Sequence, residues 1–270
     1  MLGVSIGTSV GGCSNVRLTI NLHGHGGEYS DWGFSDVVVW NRVLPYAEMK
    51  KVSDAMLKSV CGGSHYWNSV TNVCAACPVN SISIGSSCTC VGNTYFNSLS
   101  STCDPYFSDG VIGDAPWGIW RAQSYDAGSP LVLRESRGNG RDITISGNIT
   151  ISNSSGNGAL NPVYSLQGGT TSTMLWPTEF TGDFTICSMT RYTGSSNRQR
   201  ILTSSINNWL HGHWGYSGAH RGVGLHGGTW VTYVSSRGTL TDWLVMCGQN
   251  SASNSTAAPN NIIADGIVNF

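Results

Sequence analysis

YSDWGFSDVVVWNRVLPYAEMKKVSDAML, residues 29–57, reads as a buried strand followed by a helix. In WGFSDVVVW (32–40), Trp32, Phe34, Asp36, Val38 and Trp40 share one face by the period of two that a strand imposes. Pro45 then opens PYAEMKKVSDAMLKSV, where Met49, Val52, Met56, Leu57 and Val60 fall on one helical side. Proline suits a helix start because its fixed φ matches the first turn and its missing N–H has no partner there anyway. The stripe predicts a short helix packed on a sheet.

Outward from this stretch the grammar stays that of strands and turns. VRLTIN (16–21) precedes it. Far downstream, RDITISGNITIS (141–152) alternates Ile143, Ile145, Ile149 and Ile151, with Gly147-Asn148 as a turn candidate. FTICSMTRY (184–192), RILTS (200–204), WLHGHW (209–214), TWVTYVS (229–235) and DWLVMCG (242–248) follow at the spacing of a β-sandwich. The chain's 35 Gly, with many Ser, Thr and Asn, supply the tight turns such a fold needs. An apolar fraction of 40% is enough for a core.

Nine cysteines lie at positions 13, 61, 74, 77, 88, 90, 103, 187 and 247. The six from Cys61 to Cys103 fall in a segment too poor in apolar residues to build a core. Disulfides substitute for one there, each worth about 2–4 kcal/mol. A zinc site would want a second C-x-x-C or nearby histidines, and Cys88-Thr-Cys90 has the wrong spacing. Six cysteines allow about 15 pairings, and spacing does not choose among them. Sequential pairing, 61–74, 77–88 and 90–103, is the working expectation. Cys187 and Cys247 lie inside two strands, as a cross-strand disulfide or as buried thiols. The cysteine density indicates an oxidising compartment and so favours the disulfide. Cys13 is then the odd thiol, free or bridging to another chain. Sequons at Asn148, Asn153 and Asn254 agree with secretion.

Charge excludes several partners. With 14 Lys+Arg against 15 Asp+Glu, and only 11% charged residues, nothing draws nucleic acid or anionic lipid. No apolar run approaches the ~20 residues that span a bilayer. MLGVSIGTSV lacks the basic start and apolar run of a signal peptide, so a processed product or a piece of a longer chain is expected.

The stretch 29–57, with its strand ending in W-N-R-x-L before a helix, resembles the closing segment of laminin-G-like and concanavalin-A-like domains. APWGIWRAQSYD (115–126), NNWLHGHWG (207–215) and DWLVMCGQN (242–250) resemble the opening and middle of the same domain, in the version found in large repeat-bearing surface proteins of algae, other protists and their viruses. CPVNSISIGSSCTC and GNTYFNSLSSTC (77–103) resemble Cys-rich repeats of the ephrin-receptor and tumour-necrosis-factor-receptor kind. The resemblance implies an all-β sandwich, split or permuted along the chain. Residues 1–60 would be its C-terminal portion with the short helix, 61–103 a Cys-rich module, and 104–270 its N-terminal and middle portion lacking the last strands. Neither portion closes its own sheets. Three arrangements complete them: head-to-tail docking of copies into a filament, sampling of one period from a longer tandem chain, or packing of residues 1–60 back onto 104–270 as a circular permutant.

Candidate chemistry is sparse. Glycosidases on this fold pair carboxylates along one strand, whereas Glu28, Glu48, Glu135 and Glu179 stand apart. The Gly-rich stretches lack a P-loop lysine. Among seven histidines, His211 and His213 alternate on one strand between Trp209 and Trp214, with His220 and His226 nearby, and His23 and His25 form a second H-G-H. Such a set would hold a metal, stack on a sugar ring, or line a polar sheet face. Asp31, Asp126, Asp183 and Asp242 are candidate Ca²⁺ ligands by the resemblance. The expected function is a non-enzymatic, secreted structural subunit of a fibre, cell surface or appendage, whose partners are copies of itself. The alternative is a carbohydrate-binding adhesion module.

Overall fold

A computed structural model of the chain describes residues 15–22, 28–62, 65–68, 71, 73–77, 83, 85–86, 94–97, 102–105, 116–128, 131–215, 219–226, 229–232, 239–250 and 262–269. The N-terminal part holds β1 (Asn15–Val16), β2 (Leu18–Ile20), β3 (Trp32–Trp40) and the helix α1 (Tyr46–Cys61). The Cys-rich part holds two small hairpins, β4 (His65–Asn68) with β5 (Val73–Ala76), and β6 (Thr94–Asn97) with β7 (Thr102–Pro105). Then come β8 (Gly118–Asp126), β9 (Val132–Glu135), β10 (Ile143–Ser146), β11 (Ile149–Gly156), β12 (Ala159–Gly168), β13 (Thr173–Leu175), β14 (Phe180–Thr181) and β15 (Phe184–Tyr192). The last strands are β16 (Leu202–Ser204), β17 (Leu210–Trp214), β18 (His220–His226), β19 (Thr229–Thr232), β20 (Leu244–Asn250), β21 (Ile262–Ala264) and β22 (Ile267–Asn269).

The protein is all-β, with one short helix among the described residues. One antiparallel sheet runs β19-β18-β17-β16-β2-β13-β10-β9-β8-β3-β15-β20-β21-β22, with the β11-β12 hairpin branching from β3. Side chains from β2, β3, β8, β10, β13, β15 and β16, with Trp209 just before β17, meet in one core, so the sheet curls over on itself to enclose it. A second core lies on the other face of β3, β15, β20 and β21, under α1. Strands covered on both faces need apolar side chains on both, and β15 and β20 are buried at every position. The helix expected after Pro45 starts at Tyr46, and Met49, Val52, Met56, Leu57 and Val60 are all buried against the second core.

The seat of β3 answers how the sheet is completed. This strand pairs with β15 along one side and with β8 and β12 along the other, all within its own chain. Likewise β2 lies between β13 and β16. The N-terminal segment therefore packs back onto the later part of the same polypeptide, the permuted arrangement of the three. Each large apolar side chain it buries, Trp32, Phe34 and Val39 among them, stabilises that docking by about 1.5–3 kcal/mol.

Turn chemistry fixes two hairpins. Asn157 (φ 52°) and Gly158 (φ 80°) link β11 to β12, and Asp265 (φ 49°) and Gly266 (φ 79°) link β21 to β22. Two successive left-handed residues make the type I′ turn whose twist suits adjacent strands. Gly147 also has a positive φ, 84°, yet it joins no hairpin. β10 pairs with β9 and β13, while β11 pairs with β12.

The start of the Cys-rich part is anchored to the sheet domain. Cys61 at the end of α1 is bonded to Cys74 on β5, and Trp67 on β4 is buried in the second core. Asp54 on α1 is bound by Lys50 and accepts a hydrogen bond from Ser86 Oγ at 2.7 Å. Cys77 is also disulfide-bonded. Cys13, Cys88, Cys90 and the side chain of Cys103, and with them the expected 77–88 and 90–103 bridges, lie outside the described residues.

Candidate functional site

A fork in the sheet makes a groove. β12 pairs with β3 at Trp32–Phe34, and β8 takes over the same edge at Asp36–Val39. Between them Ser35 is bulged: on the opposite side Met189 faces Asp36 while Thr190 faces Phe34. A bulge inserts one residue and re-aims the side chains beyond it. Trp32, Phe34, Val37 and Val39 thus point into the first core, and Val38 and Trp40 into the second. Asp36 goes with the latter set, so the alternation expected through Trp32 and Phe34 breaks at Ser35.

Asp36 consequently lines a groove of about 280 Å³ between α1, β3, β8 and β12. Val38, Val52, Met56 and Met189 give it apolar walls, and Arg121, Gln123, Ser59 and Tyr164 add polar groups. Ser35 Oγ donates to Asp36 Oδ2 at 2.6 Å, and Arg121 Nε lies 3.8 Å from Oδ1. Burial holds the Asp36 pKa above the ordinary carboxylate range, opposed in part by the serine hydrogen bond and Arg121. Protein surrounds the carboxylate, yet 23% of the side chain stays open to the groove. A carboxylate, a guanidinium, an amide and hydroxyls over an apolar floor suit a small neutral ligand with several hydroxyl groups. The signal in sequence was a lone aspartate within a nine-residue apolar strand.

The histidines lie inside. His211 and His213 on β17 and His226 on β18 are fully buried. His211, His226 and Trp209 form a triangle of near-parallel rings, with centroids 5.2 Å (His211–His226), 5.1 Å (Trp209–His226) and 6.0 Å (Trp209–His211) apart. Its Nδ1 is 3.2 Å from His226 Nε2 and its Nε2 3.2 Å from the Met246 carbonyl, while His226 Nδ1 is 2.9 Å from the Gln249 carbonyl. Burial pushes both pKa values down, that of His226 to about 4. Two neutral rings bring two N–H groups to three contacts, so one contact lacks a proton. Gly248 keeps the space open, since a Cβ there would lie 2.5 Å from His226 Cε1. His213 instead meets the Tyr192 ring edge-on at 4.6 Å and Thr190 Oγ1 at 3.4 Å, so the two β17 histidines serve different surroundings.

Trp209 shows no face to solvent, and its Nε1 donates to Asn250 Oδ1 at 3.1 Å. Of the four residues expected to touch a ligand, Trp214 alone is half-exposed, beside Trp230 at 4.8 Å. His23 and His25 lie outside the described residues. Among the described residues no three His, Cys, Asp or Glu side chains converge on a metal position. The candidate Ca²⁺ ligands do not form a cluster of three among the described residues: Asp31 faces Asn197, Asp126 binds Arg134, and Asp242 accepts the Thr239 N–H, and Asp183 likewise belongs to no such cluster.

Cys187 on β15 and Cys247 on β20 stand directly opposite and are bonded, inside the second core. Asn148 and Asn153 are exposed, at the start of β11 and within it; Asn254 lies outside the described residues. An all-β, disulfide-stapled protein with a polar groove at a sheet fork is the class these features define. No protein-family model matches the chain, and neither does a curated protein or a solved structure.

Proposed function

We propose that the chain is a non-enzymatic module of a secreted or cell-surface protein, with a structural role in a fibre, surface layer or appendage. The Cys187–Cys247 bond carries this reading. It sits in the buried middle of the sheet, where only an oxidising compartment would form and keep it. The low charge and the sequons support the same compartment. The strand that leads through W-N-R-x-L into a helix over the sheet is consistent with kinship to laminin-G-like domains. Copies would associate head to tail as finished units, because the seat of β3 is filled from its own chain. Expression in secretory cells tests the reading: the medium should contain the chain with Cys187 and Cys247 linked in peptide maps. Retention in the cell with titratable thiols would contradict it. Electron microscopy of concentrated material should show rows, and isolated particles at every concentration would remove the fibre role.

A second reading, carbohydrate binding, is favoured by the groove around Asp36. A glycan array should then give signals that Asp36→Asn abolishes and Trp214→Ala leaves intact. An array silent for the wild-type chain would remove this reading.

A further inference from the structure

Every strand edge that faces water is a template for another chain, and soluble proteins blunt such edges with charge, proline or a covering element. Among the described residues the β11 edge has none of these. Among the described residues β11 pairs with β12 alone. Its eight residues, ITISNSSG, contain no charge and no proline. At about 3.4 Å per residue they expose some 27 Å of backbone. Thr150, Ile151, Asn153, Ser154 and Ser155 are exposed, and Ile151 leaves 52% of its surface in water. Two sequons lie on this one strand: Asn148 at its mouth and Asn153 at its middle, both exposed.

We infer that Asn148 and Asn153 carry N-linked glycans that shield the β11 edge from pairing with a second copy of the chain. The inference rests on the secreted reading above. The donor is a lipid-linked oligosaccharide diphosphate. The Asn Nδ2 forms a bond to the sugar C1, the bond from C1 to the diphosphate oxygen breaks, and the amide proton is lost to base. The product places a bulky, hydrated group on the strand beside the edge that an added strand would use. It does for this edge what lysine or proline does elsewhere.

The test uses the full chain secreted from eukaryotic cells. Peptide-N-glycosidase in ¹⁸O-water should mark Asn148 and Asn153 as former glycan sites. A secreted, disulfide-bonded chain with both asparagines unmodified overturns the inference and leaves the secreted reading standing. Retention with free thiols overturns both. The protein trimmed natively by an endoglycosidase to single uncharged N-acetylglucosamine stubs, which leaves the asparagines as amides, and the Asn148→Gln/Asn153→Gln variant should then self-associate in sedimentation runs, at least to dimers. Adding Ile151→Lys to the double variant should restore the size of the glycosylated chain. Unchanged sedimentation after native trimming, or association that Ile151→Lys does not reduce, overturns the shielding role. Native trimming keeps the test open where the double variant fails to fold.

Discussion

Neutral histidines buried beside one another make the core sensitive to acid. The folded pKa of His226, about 4, lies below the ordinary 6.5, and those of His211 and His213 are also lowered by burial. The unfolded chain therefore takes up protons between pH 6.5 and 4 that the folded chain refuses. Stability is full above pH 6.5 and falls as the pH drops, by about 1.4 kcal/mol per pH unit per histidine. For His226 the whole loss is about 3 kcal/mol. Asp36 and Asp54, raised by burial, act in the opposite sense, their contribution being present at low pH and lost as the pH rises. Urea titrations of wild type and His226→Gln at several pH values should show the variant with the shallower slope across that window; equal slopes would contradict the assignment. Arg221 and Asp265 form an ion pair of 2.8 Å with both side chains buried. Arg221→Met takes the guanidinium away from the buried Asp265 carboxylate, and thermal or urea unfolding should register a loss of about 3–5 kcal/mol. Little of this was legible beforehand. H-x-H on a strand carries no mark of whether its face is wet or dry; that depends on β18 and β20, far away in the chain. Asp36 was displaced from its expected face by a single bulged residue, which alternation alone does not reveal.

Among the elements, the β15-β20 pair is the best constrained. The disulfide joins two strands separated by 60 residues, and closing a loop of that size gains about 4 kcal/mol on the chain-entropy estimate. Cys187→Ala/Cys247→Ala should lower the unfolding free energy by up to that amount, with far-UV circular dichroism unchanged below the transition. A variant as stable as wild type would mean that the bond adds nothing to the sheet. The helix was readable from its 3.6-residue stripe and Pro45, because both signals are local. The strands were readable as strands for the same reason. Their partners were not: ITISGNITIS looks like a hairpin, with symmetric alternation about Gly147-Asn148. Alternation fixes which face is apolar, but not which neighbour lies beside it, and β10 and β11 find separate partners through residues absent from that stretch.

For the molecule as a whole, the order of the parts along the chain mattered more than the parts. By resemblance alone the N-terminal strand and helix read as the end of a β domain and the later strands as its beginning. Whether those two meet within one chain or between chains is a three-dimensional fact. Here β3 sits at the centre of the sheet, with Val39 opposite Ile186 and Val38 opposite Ile119. Removing it would open the edges of β15, β8 and β12 and strip one wall from both cores. A segment 104–270 expressed alone should therefore be unfolded or aggregated, as judged by proteolysis, and should gain order when a 28–62 peptide is supplied. The sharpest test concerns that seat directly. An equimolar mixture of ¹³C-labelled and ¹⁵N-labelled chains, refolded together under oxidising conditions, is probed for Overhauser contacts between Val39 and Ile186. Contacts confined to chains of a single label are predicted; contacts of comparable strength between differently labelled chains would show that neighbours exchange the strand and would contradict the closed, self-completed fold.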